Sequence, residues 1–92
     1  MKVIIVEDSV LLREGIARLL ADEGIEVAGV AGDAHGFTEL WEQTRPDLSI
    51  VDVRMPPTHT DEGIRASVEL REIHPEAKIL VLSQYVEERY AK

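Results

Sequence analysis

The chain has 92 residues, 45% hydrophobic and 30% charged, with 18 acidic against 10 basic side chains and a formal charge of -8. That length holds one small globular domain of modest buried surface and marginal stability, and the acidic balance excludes a phosphate-binding nucleic-acid surface in this segment. Cysteine is absent, which excludes disulfide frameworks and thiolate metal sites and fits a reducing cytoplasm. The apolar runs are too short to cross a bilayer, and Met1-Lys2 leads into a strand pattern without a signal-peptide profile.

Val3-Ile4-Ile5-Val6 is a β-branched run of the buried-strand type that ends in two acids, Glu7 and Asp8. Ser9 offers an N-cap to a helix whose apolar residues recur at Leu12, Ile16, Leu19 and Leu20, with Gly24 as its stop. This spacing predicts one buried stripe. Ile25 to Ala31 reads as a second, more peripheral strand, and Asp33 as the cap of a second helix that carries Phe37, Leu40 and Trp41 on its core side and ends at Pro46.

Leu48-Ser49-Ile50-Val51-Asp52 is a strand with the pattern of burial on both faces, ending in a single carboxylate and broken soon after by Pro56 and Pro57. A Pro- and Thr-rich loop runs from Met55 to Asp61, and Thr60 or Asp61 caps a third helix reaching Ile73. Its apolar residues form two adjoining rows, Ile64 with Val68 and Ala66 with Leu70 and Ile73, which predict a broad face on a sheet. After His74-Pro75, Lys78 to Leu82 reads as another buried strand ending at Ser83, and Tyr85 to Lys92 starts a polar helix whose Glu87-Glu88-Arg89 run reads as a solvated face.

The order β-α-β-α-β-α-β followed by a helical start is that of an α/β fold, with a mainly parallel sheet, right-handed crossovers and helices on both faces. In such sheets ligands bind beyond the carboxyl ends of the strands. With strands one, three and four side by side, Glu7, Asp8, Asp52 and Ser83 fall at one edge. Three carboxylates so close raise at least one pKa unless a cation relieves them, and a hard divalent ion such as Mg²⁺ suits their oxygens. The plainer alternative for each acid is solvation at a strand end. Asp52, ionised without help from a base, is a candidate nucleophile for phosphoryl transfer. Ser83 is either a donor to a phosphoryl oxygen or the cap of the following helix.

Val3-Ile4-Ile5-Val6-Glu7-Asp8-Ser9, Ile50-Val51-Asp52-Val53-Arg54-Met55-Pro56 and Ile79-Leu80-Val81-Leu82-Ser83 together resemble the three signature segments of the receiver domain of bacterial two-component response regulators. Arg54 to Gly63 and Leu82-Ser83-Gln84-Tyr85 resemble the subtype with a LuxR-type helix-turn-helix output domain. The resemblance implies a flavodoxin-like doubly wound parallel sheet over residues 1–92, here stopping after the fourth strand and the start of the fourth helix. It implies that Asp52 accepts a phosphoryl group from a sensor histidine kinase, that Asp8 and Asp52 bind Mg²⁺ directly, that Glu7 acts through water and that Arg54 lends its backbone carbonyl. Ser83 matches the hydroxyl switch, and the Arg54 side chain is either a modulator of the phosphorylated lifetime or an exposed loop charge.

The same resemblance implies a cytoplasmic regulator of transcription that reaches DNA only through an output domain outside this chain. The family's fifth strand, its lysine and its fifth helix lie beyond the chain, and Lys92 follows the fourth strand too closely to be that lysine. An apolar edge on the fourth strand then invites pairing with a second copy as a homodimer or strand-exchanged oligomer. Two alternatives to the switch are a receiver-like pairing module without phosphorylation and an aspartyl-phosphate phosphatase. The second is disfavoured, because Arg54 stands where a phosphatase wants a second acid. Trp41, Phe37 and Leu40 read as core, His35, His59 and His74 as surface, loop or cap residues, and Gly63 as a packing position.

Overall fold

The computed structural model describes residues 1–53 and 61–82. Strands β1 (Lys2–Val6), β2 (Glu26–Ala31), β3 (Leu48–Asp52) and β4 (Ile79–Leu82) alternate with helices α1 (Val10–Asp22), α2 (Phe37–Thr44) and α3 (Glu62–Ile73). All pairings are parallel, in the order β2-β1-β3-β4. The expected doubly wound sheet is present. Expectations for Arg54, His59, the Met55 to Thr60 loop, Ser83 and the segment from Tyr85 to Lys92 fall outside the described residues. No helix among the described residues is long and apolar enough to cross a membrane.

The strand order fixes which helix lies on which face. The step from β1 to β2 runs one way along the sheet, whereas those from β2 to β3 and from β3 to β4 run the other way. With right-handed crossovers α1 therefore takes one face and α2 with α3 the other. On the two-helix face Ile4, Val6 and Val51 pack with Phe37, Trp41, Ala66, Leu70 and Ala77 into the main core. β1 and β3 are buried on both faces, as their apolar runs predict, and β2 lies at an edge of the sheet, as expected.

Local signals hold at both ends of α1, whereas Asp61 stands at the N-cap of α3 without a side-chain capping bond. The Ser9 hydroxyl accepts from the Leu12 N–H at 3.3 Å, and Gly24, at φ 76°, turns the chain out of α1. Asp33 caps a short 3-10 turn (Ala34–Gly36) that leads into α2, and Arg45 ends that helix in a left-handed conformation one residue before Pro46. Trp41 is core, its ring centroid 4.5 Å from that of His74 and 4.6 Å from the Arg45 guanidinium carbon. His74 caps the end of α3 and meets Glu42 at 2.9 Å, a capping role in keeping with the sequence.

Three expectations are corrected. α1 has no fully buried residue: Leu12, Ile16 and Leu20 are half-buried and Leu19 is 69% exposed. The helix is rolled so that the side carrying Leu20 and Arg13 turns inward and Leu19 turns out. In α3 only one row is buried. Ala66 and Leu70 join the core with Gly63 and Ser67, while Ile64, Val68 and Ile73 are exposed, since seating Gly63 and Leu70 on the sheet turns the Ile64–Val68 row aside. β4 is not a buried strand, because it is hydrogen-bonded among the described residues to β3 alone, and Leu80 and Val81 remain exposed.

Gly63 governs how close α3 comes to the sheet. A Cβ built there would stand 1.8 Å from the Asp52 carbonyl oxygen and 3.0 Å from the Val53 Cα, whereas one built on Gly15 meets nothing within 4 Å. Gly63→Ala is expected to lose about 3 kcal/mol through overpacking against backbone, and Gly15→Ala in mid-helix to gain about 1 kcal/mol. Urea unfolding measures both, and a Gly63→Ala variant as stable as the parent would contradict this packing.

Candidate metal centre

β1 and β3 are neighbours whose connections leave in opposite directions, so a crevice opens between their carboxyl ends. Asp52 is the last residue of β3, and Glu7 and Asp8 follow β1 directly. One carboxylate oxygen from each of the three lies within 4.8 Å of the others. Glu7 and Asp52 are only 3% and 8% exposed, and Asp8 is half-buried. The structure thus brings together three of the five residues singled out in the sequence, Glu7, Asp8 and Asp52. Arg54 and Ser83 fall outside the described residues.

Backbone bonds hold the crevice open at this width. The Glu7 N–H donates to the Ala31 carbonyl at 2.9 Å, so the chain stays on β2 for one residue beyond the strand. On the other side the Val53 N–H donates to Leu82 at 3.0 Å and the Gly63 N–H to Val53 at 2.9 Å, which pins the residue after Asp52 between β4 and α3. The Ser9 N–H donates to Glu7 Oε2 at 2.9 Å, and Arg13 Nη1 donates to the Glu7 carbonyl at 3.1 Å. Periodicity does not mark Arg13, whose partner is a backbone oxygen. The one hint is a basic residue beside Leu12 at the margin of an apolar stripe.

Burial pushes the Glu7 carboxyl up from 4.5 to about 7, helped by its hydrogen bond to Asp8 and by the charge and hydrogen bonding of Asp52, against the lowering effect of the Ser9 N–H. A proton on Glu7 thus relieves the crowding. A small divalent cation would do so as well, and three hard oxygens at one crevice are the donor chemistry that Mg²⁺ takes. The residues present fit such an ion.

The raised pKa makes stability depend on pH with a definite sign. Below 4.5 Glu7 is protonated folded or unfolded and costs nothing. Between 4.5 and 7 the unfolded chain ionises Glu7 while the folded state keeps its proton, so stability falls on the order of 2–3 kcal/mol without metal and levels off once the folded state ionises above 7. Glu7→Gln removes this term and keeps an acceptor for Ser9. In chelator, the variant's advantage over the parent in urea unfolding is expected to be small at pH 4.5 and largest at pH 8. An advantage that does not change with pH would contradict the assignment.

Comparison with known proteins agrees with the fold. Residues 3–92 match the response regulator receiver domain family. The transcriptional regulatory protein DegU of Brevibacillus brevis is 36% identical over 90 residues, covering 97% of this chain but 37% of DegU, so the chain spans well under half of that relative. A LuxR-family two-component response regulator from Aurantimonas sp. SI85-9A1 superposes with a TM-score of 0.81 at 30% identity, over 89% of this chain and 57% of that one. The response regulator TrrA of Thermotoga maritima, solved in complex with Mg²⁺-BeF, gives a TM-score of 0.82 at 27% identity, over 97% and 74% of the two chains. With its acidic crevice at the β1/β3 switch point and a family match over nearly its full length, the chain belongs to the response regulator receiver domain family, a family of signalling modules.

Proposed function

We propose that residues 1–92 act as a phosphoryl-accepting switch, with Asp52 as acceptor and a sensor histidine kinase as donor. The supporting observation is the convergence of Glu7 and Asp8 on Asp52 in a crevice that is largely withdrawn from water. Asp8 and Asp52 would hold Mg²⁺ directly, Glu7 through water, and Arg54 through its backbone carbonyl. When bound, Mg²⁺ supplies the positive charge that lets an anionic donor approach an anionic pocket.

An Asp52 carboxylate oxygen attacks the donor phosphorus. A P–O bond forms, the P–N bond to the donor imidazole breaks, and its electron pair stays with the departing nitrogen. Ser83, the next residue in sequence after β4, would answer the new phosphoryl group with a hydrogen bond, which biases a two-state equilibrium passed to an output domain. In this reading the domain is a cytoplasmic regulator of transcription and not an enzyme, and it meets DNA only through that output domain. Arg54, two residues after Asp52, offers no acid for the proton transfer that phosphatase turnover needs. A second reading, pairing of two copies along β4, draws support from Leu80 and Val81, which are 48% and 38% exposed on that strand.

Intact-mass analysis after incubation with acetyl phosphate and Mg²⁺ separates these readings. The switch predicts the added mass of one phosphoryl group on the parent, and none on Asp52→Asn or in chelator. Continuous turnover without a lasting adduct would support a phosphatase. No adduct and no turnover would leave the pairing module.

A further inference from the structure

Arg13 is an odd residue to find half-buried beside an acidic crevice. Counted by charge alone, a guanidinium there competes with a cation for the same field. Its contacts show what it does. The Arg13 backbone N–H donates to the Ser9 carbonyl at 2.9 Å, and its Nη1 donates to the Glu7 carbonyl at 3.1 Å. The first of these is the opening intrahelical bond of α1, which any residue but proline would make at this position, so the hold that belongs to the Arg13 side chain is the bond to the Glu7 carbonyl. The guanidinium also lies across the link after β2, since a Cβ built on Gly32 would stand 3.4 Å from Nη1.

The roll of α1 points the same way. Leu19 is 69% exposed, whereas Arg13 is half-buried on the inward side of the helix. Loops are held in productive geometry by neighbours that bond their backbone, and supports of this kind behind metal ligands change affinity without touching the metal.

We propose that Arg13 is a positioning residue, which clamps the turn from Glu7 to Ser9 so that the two acids after β1 are set for the divalent cation. This rests on the metal reading above. A clamp and a simple charge predict opposite signs. If Arg13 acted on the site mainly through its charge, replacing it with a neutral side chain of similar length would tighten Mg²⁺ binding. If it acts as a clamp, the same change weakens binding, because the donor to the Glu7 carbonyl is lost.

Calorimetric Mg²⁺ titration of the 92-residue chain tests this with Arg13→Met, Arg13→Lys and Asp8→Asn, each checked by circular dichroism and urea unfolding. For Arg13→Met the Mg²⁺ dissociation constant is expected to rise about tenfold. Arg13→Lys, which keeps one donor and the charge, should fall between the parent and Arg13→Met, and it carries the test alone if the Met variant does not fold. Unchanged or tighter Mg²⁺ binding in Arg13→Met, or in Arg13→Lys when it stands alone, would overturn the clamp, as would lower stability with unchanged affinity. Asp8→Asn separates the two failures. If it binds Mg²⁺ as well as the parent does, or if the parent binds none, the metal site falls and the clamp with it. If Asp8→Asn loses Mg²⁺ while the Arg13 variants do not, only the clamp is wrong.

Discussion

Carboxylate oxygens of Glu7, Asp8 and Asp52 stand within 4.8 Å of one another, and two of the three residues are almost fully withdrawn from water. Without a proton or a cation that arrangement opposes folding, in a chain short enough for its whole stability to be small. The domain tolerates it through the proton that Glu7 retains up to about pH 7. The same crowding is what makes the crevice receptive to a divalent ion.

The fold keeps the acids together by means that have little to do with their charge. Reversal of the winding direction between β1 and β3 leaves a gap between two strand ends, and β2 and β4 each take one more backbone bond just past those ends. Gly63 lets the first turn of α3 sit against the carbonyl of Asp52 itself, so the helix rests directly on the floor of the site. Any change that tilts α3 would be felt at Asp52.

Much of this was readable in the residues. Val3 to Val6 and Leu48 to Asp52 announce buried strands because both faces of each are apolar, and the handedness of crossovers then brings their ends to one edge. Ser9 and Gly24 act as the cap and stop that their chemistry suggests, while Asp33 caps the 3-10 turn ahead of α2 rather than α2 itself. The errors share a cause. Periodicity says which side chains share a helix face, but not how far the helix is rolled, so Leu19, Ile64, Val68 and Ile73 read as core and are exposed. An apolar run such as Ile79 to Leu82 reads alike at the centre or the edge of a sheet. The bond from Arg13 to the Glu7 carbonyl was invisible because a backbone acceptor leaves no trace in residue type.

That the three acids share one cation can be tested at the atom most affected. The side-chain carboxyl ¹³C resonance of Glu7, followed through a pH titration with and without saturating Mg²⁺, reports the competition between proton and metal directly. Without metal it is expected to titrate near pH 7, and with Mg²⁺ its midpoint should move down toward or below the ordinary carboxylate range. A midpoint that stays where it was when Mg²⁺ is added would contradict the account.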